Sequence, residues 1–122
     1  MDAGRNIMII DDEADLCMLM KNYLQHRQYT VHYALTLTEG IEQLKTFRPD
    51  ILFLDNNLPD GPGWSRAREI VEVYPHMRLY LMSGYQPSPP QDIPEERYRL
   101  LHKPISFHDL DFLRPAETGS GL

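Results

Sequence analysis

Three short, unbroken apolar runs constrain this chain more than any other feature: Ile7-Met8-Ile9-Ile10, Ile51-Leu52-Phe53-Leu54 and Leu79-Tyr80-Leu81-Met82. Each is shorter than an ordinary helix and is closed by polar residues, so each predicts a strand buried on both faces. A strand with no solvent face belongs in a parallel sheet covered by helices. The intervening sequence supplies them. Leu16, Leu19, Met20, Tyr23 and Leu24 recur at helical spacing, as do Leu37, Ile41, Leu44 and Phe47, then Trp64, Ala67, Val71 and Tyr74. Thr30 to Ala34, rich in β-formers, predicts the second strand and Leu100 to His102 a short fifth. Ser106 is placed to cap a last helix near Phe107 to Leu113. The alternation predicts an α/β, doubly wound domain on a five-stranded parallel sheet. Its irregular stretch is Gln86 to Pro94. Pro87, Pro89, Pro90 and Pro94 remove backbone donors and clash with the preceding turn, so the fourth helix is expected to be short or missing, at best a turn around Pro94 to Arg97.

A chain of 122 residues is the size of one domain, so residues 1–122 are read as a single unit with a core over about 6–113 and a flexible tail over 114–122. With 42% hydrophobic and 25% charged residues the composition is that of a soluble globular protein, and the apolar runs fall well short of membrane-spanning length. The first residues, Met1-Asp2-Ala3-Gly4-Arg5, lack the pattern of an export signal, so the cytoplasm is the expected compartment. A net charge of −6 opposes attraction to phosphate backbones, and direct nucleic-acid binding is not expected. The single Cys17 lies within a helical apolar pattern and reads as a buried, inert thiol.

In open α/β sheets ligands bind at the carboxyl ends of the strands, which directs attention to the residues that close the apolar runs. These are Asp11-Asp12, Asp55, Ser83 and Lys103-Pro104. Taken singly, each has an ordinary reading: a helix cap, an Asx turn with Asn56 and Asn57, a strand end, a loop dipeptide. Taken together they end successive predicted strands at spacings that βα units of ordinary size explain. Carboxylates gathered by neighbouring strand ends repel one another unless a cation neutralises them, and oxygen-only ligands favour a hard ion such as Mg²⁺. A metal, a hydroxyl and an ammonium around one remaining carboxylate suit a phosphoryl group, with Asp55 as covalent nucleophile.

The segments "IMIIDDEADL", "ILFLDNNLPDGPGW", "LYLMSGY" and "HKPI" resemble the receiver domains of two-component response regulators, the CheY-like superfamily, over Ile7 to Leu113. The resemblance implies a flavodoxin-like, three-layer α/β/α sandwich that is phosphorylated on Asp55 by a sensor histidine kinase or a phosphotransfer protein. It promotes phosphoryl transfer onto itself alone. The same likeness implies that Asp12 ligates Mg²⁺ directly, Asp11 mainly through water, and that Asp55 and the backbone carbonyl of Asn57 complete the protein's share of the metal shell. Ser83 corresponds to the hydroxyl that bonds the phosphoryl group, Lys103 to the lysine that pairs with its oxygens, and Pro104 to a proline that usually follows a cis peptide. Pro59, Gly61 and Gly63 fit the loop leading into the third helix.

Two departures bear on switching. Leu100 stands three residues before Lys103, where the family usually has an aromatic residue; Tyr98 would share its face of the strand, with its ring on the core and its hydroxyl in water. Tyr85 lies where it could shield a phosphoryl group from water, which predicts slow dephosphorylation. His26, His32, His76, His102 and His108 share no metal-ligand spacing, and His102 reads as a partly buried strand residue. The alternative to a working switch is a receiver-like module that binds a partner without switching. A phosphatase of similar topology is disfavoured because Asn57 stands where a second acid is needed. The sequence leaves open a stand-alone receiver or a piece of a larger regulator, and an unidentified downstream protein partner.

Overall fold

The computed structural model describes residues 5–84 and 88–111. Strands β1 (Asn6–Ile10), β2 (Thr30–Ala34), β3 (Ile51–Asp55), β4 (Arg78–Ser83) and β5 (Tyr98–His102) form one sheet in the order β2-β1-β3-β4-β5, and every neighbouring pair is parallel. Helices α1 (Ala14–Gln25), α2 (Leu37–Phe47) and α3 (Ala67–Val73) make the crossovers, and α4 (Phe107–Leu110) follows β5. The predicted sheet is the observed one.

Strand pleating sends successive side chains to opposite faces, so the unbroken apolar runs feed two cores. Met8, Ile10, Leu52, Leu54, Leu79 and Leu81 pack beneath α2 and α3; Ile7, Ile9, Ile51, Phe53, Tyr80 and Met82 pack beneath α1 and α4. The helix ends follow local chemistry. Thr36 caps α2 by accepting from Glu39 N, and Arg48 ends it in the left-handed region. Ser106 and Asp109 form a reciprocal capping box on α4. Gly40 lets α2 approach β1 closely, since a Cβ there would strike the Ile10 side chain.

Several expectations need correcting. Leu19 is half exposed, because it lies off the arc on which Cys17, Met20 and Leu24 face the sheet. The third helical pattern opens as a 3-10 turn, Gly63–Arg66, before α3 begins. Leu100 to His102 is the end of a strand that starts at Tyr98. His102 is exposed, not partly buried, as the last residue of the strand at the sheet's edge. As expected, the fourth helix is represented among the described residues by one 3-10 turn, Glu95–Arg97. No helix among the described residues covers this part of β5, and Leu100 is 39% exposed, while Ile93 and the half-buried Tyr98 pack onto the core beside it. Tyr85, the end of the helix expected to run to Leu113, and the expected 114–122 tail lie outside the described residues. Among the described residues no helix is long and apolar enough to cross a membrane.

Candidate functional site

The carboxyl ends of β1, β3, β4 and β5 converge on one open cleft. Asp11 follows β1, with its N–H donated to the Ala34 carbonyl at 3.1 Å and its Oδ1 accepting from Glu13 N at 2.8 Å. It is fully buried. Asp12, next in the chain, is exposed to the cleft. Asp55 closes β3 and is 2% exposed, and Ser83 closes β4 and is buried on the cleft wall. Lys103 stands just past β5, where its N–H donates to the Ser83 carbonyl at 2.9 Å, and a cis peptide joins it to Pro104.

Asp11, Asp12 and Asp55 each offer a carboxylate oxygen, and these oxygens all lie within 4.8 Å of one another. The Lys103 ammonium enters this group from the side, 2.8 Å from Asp11 Oδ2, 3.3 Å from Asp55 Oδ1 and 3.4 Å from Glu13 Oε1. The acids feel both burial and each other. Burial pushes the Asp55 carboxyl up to about 6, helped by the Asp11 charge and opposed by Lys103. Burial also raises Asp11, against its bonds from Lys103 and Glu13. For Lys103 burial disfavours the charge, but the hydrogen bond and charge of Asp11, with Asp55 behind them, outweigh it and hold the ammonium above the usual lysine range. One lysine thus leaves a site of excess negative charge. Its donors are all oxygens and two of its carboxylates are buried, a set that fits a hard divalent ion and offers nothing to a softer one.

The loop after Asp55 is braced on every side. Asn56 N donates to the Met82 carbonyl at 3.2 Å, Asn56 Oδ1 accepts from Trp64 N at 3.1 Å, and the Asn56 carbonyl accepts from Gly63 N at 3.0 Å. The Trp64 indole N–H donates to the Leu54 carbonyl at 3.2 Å. Asn57 lies on the cleft wall and begins a two-residue ribbon, Asn57–Leu58 with Gly61–Pro62. A Cβ on Gly63 would collide with the Asp55 carbonyl oxygen, so that position admits glycine alone without a shift of the nucleophile's own backbone. Asp60 reaches across to α2, where its carboxylate accepts from Leu37 N and Thr38 N at 2.8 Å and from Thr38 Oγ1 at 2.7 Å. Those bonds, the Thr38 hydroxyl first, hold its carboxyl down at about 2.

All the sequence-predicted site residues therefore line or border one cleft. Glu13 and Asp60 were not singled out by the sequence, and Asn56 only as part of an Asx turn. Glu13 carried a local signal, as a third acid directly after the Asp-Asp pair; Asp60 carried none. Cys17 is buried, with its thiol donating to the Asp11 carbonyl at 3.3 Å and pushed up to about 12 mainly by burial, as an inert thiol should be.

The model of the response regulator receiver domain family matches residues 7–111. Over 82 residues the chain is 28% identical to the chemotaxis protein CheY of Thermotoga maritima, covering 66% of this chain and 68% of that one. Longer curated relatives, a sensor kinase and transcriptional regulators among them, are spanned over only 12% to 34% of their lengths. The solved receiver domain from Clostridium thermocellum superposes with a TM-score of 0.74 at 25% identity, over 91% of each chain. TrrA from Thermotoga maritima, solved in complex with Mg²⁺ and beryllofluoride, has the same fold at a TM-score of 0.74 and 22% identity, over 88% of this chain and 94% of that one. A sheet of this order, an acidic cluster at its carboxyl edge and a family match over nearly all the described residues agree: the chain belongs to the receiver domain family of two-component response regulators.

Proposed function

We propose that this receiver domain accepts a phosphoryl group on Asp55 from a sensor histidine kinase or a phosphotransfer protein, and signals through the change of charge at that residue. The observation that carries the reading is the placement of the Lys103 ammonium 3.3 Å from Asp55 Oδ1, beside two further acids. An Asp55 oxygen attacks phosphorus in line as the phosphorus–nitrogen bond to the donor histidine breaks, and the departing electron pair stays with the imidazole. Mg²⁺, held by Asp12, Asp55 and the Asn57 carbonyl with Asp11 behind them, would supply charge neutralisation for the transferring group's oxygens. Lys103 exchanges its contact with the Asp55 carboxylate for one with a phosphoryl oxygen, and the Ser83 hydroxyl donates to another. The transfer is onto the protein itself, so one group is gained per molecule.

The test is intact-mass measurement after incubation with Mg²⁺ and acetyl phosphate or phosphoramidate. The expected result is the gain of a single phosphoryl group, abolished by chelator and by Asp55→Ala. An unmodified wild type, or a modified Asp55→Ala, would sink the assignment.

A further inference from the structure

An ammonium has three hydrogens to donate, and that of Lys103 faces three carboxylate oxygens, from Asp11, Asp55 and Glu13. Phosphorylation converts the Asp55 contact into one with a phosphoryl oxygen, so how far the ammonium can follow that oxygen depends on the two acids that still hold it. Asp11 is fully buried beneath the lysine, and its carboxylate has nowhere else to turn. Asp55 is itself the reacting group. Glu13 is different: its side chain is 59% exposed, it makes the longest of the three contacts at 3.4 Å, and water can take over its charge at little cost. Although Glu13 occupies the capping position of α1, its side chain caps nothing. Its side chain therefore makes no capping hydrogen bond that the amide would lose.

Resting on the receiver function proposed above, we infer that Glu13 is a positioning residue for phosphoryl capture: it holds Lys103 in the resting state and competes for the ammonium with a phosphoryl group on Asp55. Glu13 thereby sets how readily an anionic phosphoryl species is captured, without touching it. Replacing the carboxylate by the isosteric amide leaves the side chain in place but removes the competitor.

The measurement is a titration of beryllofluoride with Mg²⁺, followed by Trp64 fluorescence, on wild type, Glu13→Gln, Lys103→Gln and the double variant. Glu13→Gln is expected to tighten binding about two- to fivefold, the range of an exposed ion pair. In the Lys103→Gln background the same substitution is expected to change nothing, because there is no ammonium left to compete for. An unchanged constant in Glu13→Gln overturns the inference, and so does an equal gain in both backgrounds, which would mark a general charge effect at the cleft mouth. Thermal unfolding of Glu13→Gln should match wild type, since a role confined to the fold would move that and not the binding constant. A wild type that shows no phosphoryl gain by mass and no response to beryllofluoride would remove the receiver function itself, an outcome distinct from a responsive wild type with an indifferent Glu13.

Discussion

Asp55 carries two opposed requirements. A nucleophile must be ionised, yet burial and the Asp11 charge resist ionisation, so its carboxyl titrates at about 6 where a free one titrates near 3.8. A carboxyl whose folded value is raised favours the fold while protonated, and that contribution is lost as pH rises through the folded value. The strain should therefore be absent below about pH 4 and complete above about pH 6. A shift of about two units corresponds to no more than about 2.7 kcal/mol, and solvent in the open cleft reduces the expectation to about 1 kcal/mol. In chelator, Asp55→Asn should be more stable than wild type at neutral pH, with the gain fading on acidification to pH 4. Urea midpoints measured across that range give the answer; parallel curves, or a less stable variant at neutral pH, would contradict it. The site residues that were readable in the sequence were those that close an apolar run, namely Asp11, Asp12, Asp55, Ser83 and Lys103. Those that escaped act at long range. Asp60 caps a helix more than twenty positions before it, and no periodicity within either segment announces such a bond.

Among the elements, the strands buried on both faces were read almost to the residue, because a continuous apolar run bounded by Asp, Ser or Lys admits few other structures. Elements with one wet face were read less well. The five predicted apolar positions of α1 span a wider arc than the sheet covers, which is why Leu19 lies outside it. The proline-rich segment before β5 was correctly expected to interrupt the fourth helix, and the consequence falls on β5. Leu101 is 9% exposed and packs beneath α1 and α4, whereas Leu100 points to the face that a fourth helix would cover and is 39% exposed. The two leucines should thus differ in cost. Leu101→Ala is expected to destabilise by about 2 to 3 kcal/mol, near the lower end for a buried leucine, and Leu100→Ala by less than about 1 kcal/mol. Chemical denaturation of both variants decides this, and equal losses would mean that Leu100 has a cover in solution.

For the molecule as a whole, the parallel sheet is both scaffold and liability. It sets four strand ends side by side, and thereby forces Asp11, Asp12 and Asp55 together, with oxygens within 4.8 Å that the unfolded chain keeps apart. Lys103 relieves only part of the repulsion, so folding is opposed by the same cluster that makes the site. A divalent cation bound to the folded state alone must shift the folding equilibrium towards it. At a Mg²⁺ concentration ten times its dissociation constant the gain is about 1.4 kcal/mol, enough to raise the thermal midpoint of a domain of this size by about 3 to 6 °C. Calorimetry of the wild type with Mg²⁺ and with excess chelator should show that difference, and Asp12→Ala should abolish it. Asp12 is the informative position because it is exposed, and its removal leaves the buried Asp11–Lys103–Asp55 arrangement standing. A midpoint indifferent to Mg²⁺ would mean that Lys103 alone balances the cluster, and the metal would then have to be struck from the mechanism. An equal rise in wild type and Asp12→Ala would place the ion elsewhere on this acidic protein, away from the strand ends that the sheet brings together.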